Sequence, residues 1–133
     1  MIDSKRDQMK VIKSESVMCF DVDNTLVIHE KYISSVYADT VRIFDPVEGK
    51  VILMRKNKPM IRLLREEVHR GSRVIVWSRG GYEWASLVLT ALGLEDLDIL
   101  VMSKPVAYFD DKPVNEWLTN RIYLDPNEPY KTN

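Results

Sequence analysis

One cysteine in 133 residues, Cys19, excludes a disulfide framework within the chain. It lies between Met18 and Phe20 in an apolar run, which favours a small buried hydrophobe over a catalytic thiol. Histidine is nearly as scarce. His29 and His69 have no partner at metal-ligand spacing, so both read as surface residues. Long apolar runs are missing: none approaches the ~18–20 residues that a transmembrane helix needs. Residues 1–16 also lack the apolar centre of a signal peptide. The expectation is a cytoplasmic protein with no membrane partner. Charge of one sign is lacking too, because 19 Lys and Arg face 20 Asp and Glu for a formal net charge of −1. No global field attracts nucleic acid. Arg55, Lys56 and Lys58 are the candidates for a local basic patch, although such clusters are more often solvated surface.

What is present is a chain long enough for one domain and one core, 45% hydrophobic and 29% charged. Residues 1–16 read as a polar lead-in and 125–133 as a polar tail, with the working domain over 17–124. Residues 17–22 are a short apolar run, a buried strand. Residues 40–44 and 50–54 are rich in β-branched and apolar side chains. The turn residues 45–49 between them predict a β-hairpin. Asn57 is placed to cap the next helix, with Pro59 in its first turn, a stripe of Met60, Leu63, Leu64 and Val68, and Gly71 as the stop. Residues 73–77 form a second buried strand. Gly80 and Gly81 precede a second helix with the stripe Trp84, Ala85, Val88, Leu89 and Leu92, ended by Gly93. Residues 98–102, 106–109 and 121–124 are further strand candidates, and 113–118 a brief helix. Strands alternating with helices predict a mostly parallel sheet with right-handed crossovers.

Buried parallel strands are expected to be apolar, yet these end in polar residues. The first ends in Asp21, Asp23, Asn24 and Thr25, and the second in Ser78 and Arg79. Lys104 follows the third, and Asp110 and Asp111 follow the fourth. Ligands of open α/β sheets bind outside the carboxyl ends of strands, so these groups converge on one crevice. Asp21 and Asp23 are two apart and leave an extended chain on the same side. With Asp110 or Asp111 added, three or four carboxylates would repel one another unless a cation sat among them. An all-oxygen donor set suits Mg²⁺, which takes one or two carboxylates with waters and a substrate phosphate. Lys104 would hold that phosphate as a point charge. Taken singly, each motif has a plainer reading: Asp-x-Asp as a turn device, Ser78 as a helix cap, Lys104 as a solvated lysine, Asp110-Asp111 as a turn. Their joint placement at strand ends favours chemistry.

The four elements, in order, resemble the motifs of the haloacid dehalogenase superfamily of phosphotransferases. They are residues 20–26 with Asp21-Val22-Asp23-Asn24-Thr25, residues 76–78 ending in Ser78, Lys104 in Ser103-Lys104-Pro105, and residues 108–111 ending in Asp110-Asp111. The resemblance covers about residues 17–124. It implies a single Rossmann-like α/β domain with a mostly parallel five-stranded sheet, strand 17–22 at its centre. Strands 73–77 and 98–102 would lie on one side, 106–109 and 121–124 on the other. The hairpin at about 39–55 would be a flap, and no insertion is large enough for a cap domain. Asn24 stands where many members have glycine, and Lys104 comes closer to Asp110 than in many relatives.

By that resemblance Asp21 is the nucleophile and a metal ligand, and Asp23 the general acid/base, its carbonyl also on Mg²⁺. Thr25 fixes the loop, Ser78 hydrogen-bonds a phosphoryl oxygen, and Lys104 pairs with Asp21 and the phosphate. Asp110 or Asp111 completes the metal shell. The implied activity is Mg²⁺-dependent phosphomonoester hydrolysis through an aspartyl-phosphate. A second Asp favours phosphate chemistry over dehalogenation, because halide leaves without an acid. Arg79 adjoins the pocket as a candidate substrate contact, Tyr82 is the weaker candidate beside it, and Trp77 and Trp84 fit core positions. An open, capless site would admit a nucleotide, a phosphoprotein or a nucleic-acid end, and capless enzymes can close their site as homo-oligomers. The competing readings are a polynucleotide 3′-phosphatase, another phosphotransferase, and a non-catalytic phosphate-binding regulatory module on the same fold.

Overall fold

The structure, a computed structural model, describes residues 16–32 and 39–132. The polar lead-in, Ser16 apart, lies outside the described residues. Strand β1 (Val17–Asp21) alternates exposed and covered residues and pairs in parallel with β5 (Arg73–Ser78), which pairs in parallel with β6 (Ile99–Ser103). The connections carry helices α1 (Lys58–Arg70) and α2 (Tyr82–Ala91). With the order β1-β5-β6, right-handed crossovers put both helices on one face. Burial agrees: Val74 and Val76, on the helix side of β5, are fully buried, while Cys19 and Leu100 on the opposite face are exposed. The expectation of a buried Cys19 is therefore corrected.

A second sheet grows out of the first loop. Strand β2 (Val27–His29) and a 3-10 turn (Glu30–Tyr32) lead to the hairpin of β3 (Thr40–Asp45) and β4 (Lys50–Lys56), in the order β2-β4-β3. The predicted hairpin is thus formed, and its turn is held by the Asp45 carboxylate, which accepts the N–H groups of Val47 and Glu48. Strand β3 also packs on α2. Ile43 and Met54 join Phe20, Leu64, Val76 and Val88 in one core that spans both sheets.

Several local expectations change. The covered stripe of α1 is Met60, Ile61, Leu64 and Val68, with Glu67 buried among them, and Leu63 faces outward. Glu67 is tolerated there because the Ser72 hydroxyl donates to it at 2.6 Å. Asn57 precedes α1 but makes no side-chain cap. Its amide instead donates to the Thr25 carbonyl at 2.8 Å, and its N–H to that of Leu26 at 3.0 Å. Gly71 ends α1 in the left-handed conformation, φ +96°, as its position suggested.

Three parallel strands are seen where five were expected, and β1 lies at the end of the sheet order instead of its centre. Residues 106–109 form no strand. A parallel strand must restart at the opposite end of the sheet, which takes a crossover of about a dozen residues or more. Only Lys104 and Pro105 separate β6 from Val106. Val106 and Phe109 stand almost fully exposed. Past a short helix α3 (Val114–Trp117), β7 (Leu124–Asp125) pairs antiparallel with β8 (Glu128–Thr132), so the strand expected over 121–124 forms a small hairpin with the polar tail and does not join the parallel sheet. No described helix is long and apolar enough to cross a membrane.

Candidate active site

The end of β1 turns sharply around one carbonyl. Val22, fully buried, accepts the N–H groups of Thr25, Leu26 and Val27. Asn24 sits at the tip with φ +63°, in the left-handed region that asparagine tolerates best after glycine. This explains how asparagine can occupy a position where glycine is common. Its side chain also accepts the His29 N–H at 3.2 Å. The loop is anchored below by buried Leu26, Val27 and Ile28, and it passes directly into β2. The hairpin is thereby fastened to the carboxylate loop through the β2–β4 pairing.

Asp21 is half-buried at the mouth of this loop. Thr25 Oγ1 donates to its Oδ2 at 3.4 Å, and Lys104 Nζ lies 3.9 Å from its Oδ1. Burial holds the Asp21 carboxyl above its ordinary range. Lys104, a backbone N–H at Val22 and Thr25 pull it down, and the neighbouring Asp23 pushes it up. Lys104 is directed across the strand ends by its own backbone, whose N–H donates to the Ser78 carbonyl at 2.9 Å. Asp21, Thr25 and Lys104 thus come together as the sequence suggested.

Ser78 is buried at the end of β5, one residue beyond the Trp77 paired with Asp21. Its Oγ accepts the Gly80 N–H at 2.9 Å, which orders the following turn. The N-cap of α2 is Gly81, not Ser78. Ser103, to which no role was assigned from sequence, accepts the Tyr82 N–H at 3.1 Å and secures the first turn of α2. Arg79 is exposed and lies outside the lining of the main cavity.

Asp23 has two neighbours that sequence reading missed. Trp84 is half-buried, and its Nε1–H donates to Asp23 Oδ1 at 2.9 Å. His29 Nε2 stands 3.8 Å from the same oxygen, an ion pair whenever the imidazole is protonated. His29 is therefore no plain surface residue, and Trp84 is not simply core. Trp84 is 61 positions from Asp23, and no local pattern links them. For His29, the missing information was the path of β2.

Asp110 and Asp111 are exposed, and Asp110 Oδ1 accepts the Lys112 N–H in a local turn. Among the described residues no group of three or more acidic, histidine or cysteine side chains is close enough to hold a metal ion. The two carboxylates that stand together are Asp21 and Asp23. Of the three candidates for a basic patch, Arg55 is buried on β4 and Lys58 pairs with Asp39 at 3.1 Å. His69 is exposed, as expected, beside the Arg65 carbonyl.

A cavity of about 580 Å³ opens beside Asp23. Asp23 and His29 line one end, residues 45–48 and Ile52 of the hairpin a second side, and residues 80–84 a third. Comparison with known proteins returns no match: no family model, curated protein or solved structure is significantly similar to the chain.

Proposed function

We propose that the chain is a Mg²⁺-dependent phosphomonoester hydrolase of haloacid dehalogenase type that works through an aspartyl-phosphate on Asp21. The observation that carries this reading is the meeting of Lys104 Nζ with Asp21 Oδ1 at 3.9 Å, from two different strand ends. A lysine beside a half-buried carboxylate gives a nucleophile and a cation for the phosphoryl oxygens in one place. The order β1-β5-β6 with helical crossovers supports the same fold reading.

Asp21 Oδ attacks phosphorus in line, and a phosphorus–carboxylate bond forms as the ester P–O bond breaks. Asp23 gives its proton to the departing alkoxide. Its Oδ1 accepts from Trp84, so the proton belongs on Oδ2. Asp23 then takes a proton from the water that attacks phosphorus, which releases phosphate and restores Asp21. Lys104 offsets phosphoryl charge throughout, and the Ser78 hydroxyl, whose oxygen accepts the Gly80 N–H, keeps its own proton to donate to a phosphoryl oxygen. Asp21 would supply a carboxylate oxygen and Asp23 its backbone carbonyl to Mg²⁺, with water and substrate phosphate completing its shell. When bound, the ion would neutralise charge on the phosphoryl oxygens. Asp110 and Asp111 follow Lys104 closely enough to remain ligand candidates in this proposal: six residues span at most ~20 Å.

A polynucleotide 3′-phosphatase is the second reading; of the basic candidates for its groove, Arg55 is buried and Lys58 is paired with Asp39. We place the enzyme in the cytoplasm on its composition, one cysteine and no membrane-length apolar run. The test is release of phosphate from p-nitrophenyl phosphate by purified protein. Turnover should require Mg²⁺, stop with EDTA and return when Mg²⁺ is restored. Silence across a broad ester panel with metal-loaded protein would leave a phosphate-binding regulatory module as the better reading.

A further inference from the structure

A phosphoryl group and its cation need only the crevice around Asp21 and Lys104, yet the cavity next to it measures about 580 Å³. That is the size of a small-molecule pocket. Its near end is Asp23, the group from which the departing oxygen would take its proton, so the space beyond is where the rest of the leaving alcohol would lie. The walls are unequal in charge. Asp45 and Glu48 of the hairpin turn and Glu83 of the first turn of α2 line the space along with Asp23. Among the described residues, His29 is the one basic group in the lining, with no lysine or arginine. Val47, Tyr82 and Trp84 supply apolar surface between these carboxylates.

We propose that this cavity is the leaving-group subsite and selects phosphomonoesters whose alcohol bears no further negative charge. Polyol and amino-alcohol phosphates would be its substrate class, ahead of nucleotides, phosphorylated nucleic-acid ends and phosphorylated hydroxy acids. The proposal rests on the phosphatase reading above. Its physical basis is rejection: an added carboxylate or phosphate entering the cavity meets three like charges with no lysine or arginine to offset them. Hydroxyl groups can donate to the same carboxylates, and an ammonium group gains both from them and from the aromatic faces.

Matched esters that differ by one charge give the test. The kcat/KM for glycerol 3-phosphate should exceed that for 3-phosphoglycerate by about tenfold or more, and glucosamine 6-phosphate should equal or surpass glucose 6-phosphate. The double variant Glu48→Gln/Glu83→Gln, which leaves the turn-holding Asp45 in place, should shrink the first ratio severalfold. Equal turnover of the two glycerol-derived esters overturns the proposal, and so does a ratio that the double variant does not change. Failure to hydrolyse any ester, p-nitrophenyl phosphate included, instead overturns the phosphatase reading and takes this inference with it.

Discussion

Asp21 is held where its charge is costly, and this separates its part in chemistry from its part in stability. Burial raises its carboxyl pKa against the pull of Lys104. A carboxyl whose folded pKa lies above its unfolded value stabilises the fold while protonated, and that contribution is lost as pH rises through the folded pKa. At neutral pH the ionised side chain therefore opposes folding. Asp21→Asn should reduce turnover by at least about a thousandfold. In metal-free buffer at pH 7 it should nevertheless melt at a higher temperature than the parent. That advantage should narrow as pH falls and Asp21 itself becomes neutral. Calorimetry across pH checks it, and an equal or lower melting temperature at pH 7 would contradict it. Trp84 acts through Asp23. Trp84→Phe removes the N–H that holds Oδ1, so proton delivery should suffer. Because a nitrophenolate leaves without a proton, kcat should fall about tenfold more for an alkyl phosphate than for p-nitrophenyl phosphate. Equal losses on both would reduce Trp84 to a packing role.

At the level of elements, the turn between β5 and α2 does most of the positioning. The Ser78 carbonyl accepts from both Gly81 and Lys104, so one peptide group fixes the start of a helix and the backbone of the cationic residue. Gly81 has φ +102° and ψ +168°, a region open essentially to glycine alone. Gly81→Ala should destabilise the protein by about 1–3 kcal/mol, read from the midpoint of urea unfolding at unchanged slope. It should also lower kcat/KM, since Lys104 and the cavity wall share that turn. Alanine at Gly80 would crowd Trp84, with its Cβ 3.0 Å from the indole Cδ1. The pair of glycines was visible in the sequence as a helix start. Their service to Lys104 was not, because it passes through hydrogen bonds between segments far apart in the chain.

Across the whole molecule, order should be graded from β5 outward. Strand β5 lies between β1 and β6, and its Val74 and Val76 are fully buried beneath α1 and α2. Residues 105–113 belong to no strand and are exposed throughout. Hydrogen exchange should then be slowest in β5 and fast over 105–113. Protection of 106–109 equal to that of β5 would mean that this segment joins a sheet after all. The same experiment with Mg²⁺ and a phosphate analogue would show whether Asp110 and Asp111 become ordered when the site is filled.

The carboxylate loop was legible in the sequence because it is local. Asp21 and Asp23 share a side of the chain by spacing alone, Asn24 marks a tight turn, and apolar runs ending in polar residues mark strand ends. Periodicity likewise revealed the two long helices and the hairpin. Strand count was misjudged at residues 106–109, where β-like composition spoke louder than the two-residue connection from β6 that forbids a parallel return. Only tertiary structure could decide who touches Asp23, because Trp84 and His29 reach it through the packing of α2 and the path of β2. It also decided that Arg55 is buried, that Cys19 faces outward, and that the hairpin turn lends its acids to the cavity. The turn that carries Asp21 and Asp23 follows from neighbours along the chain; the approach of Lys104 to Asp21 and the shape and charge of the space beside Asp23 follow from neighbours across the fold, which spacing in sequence does not encode.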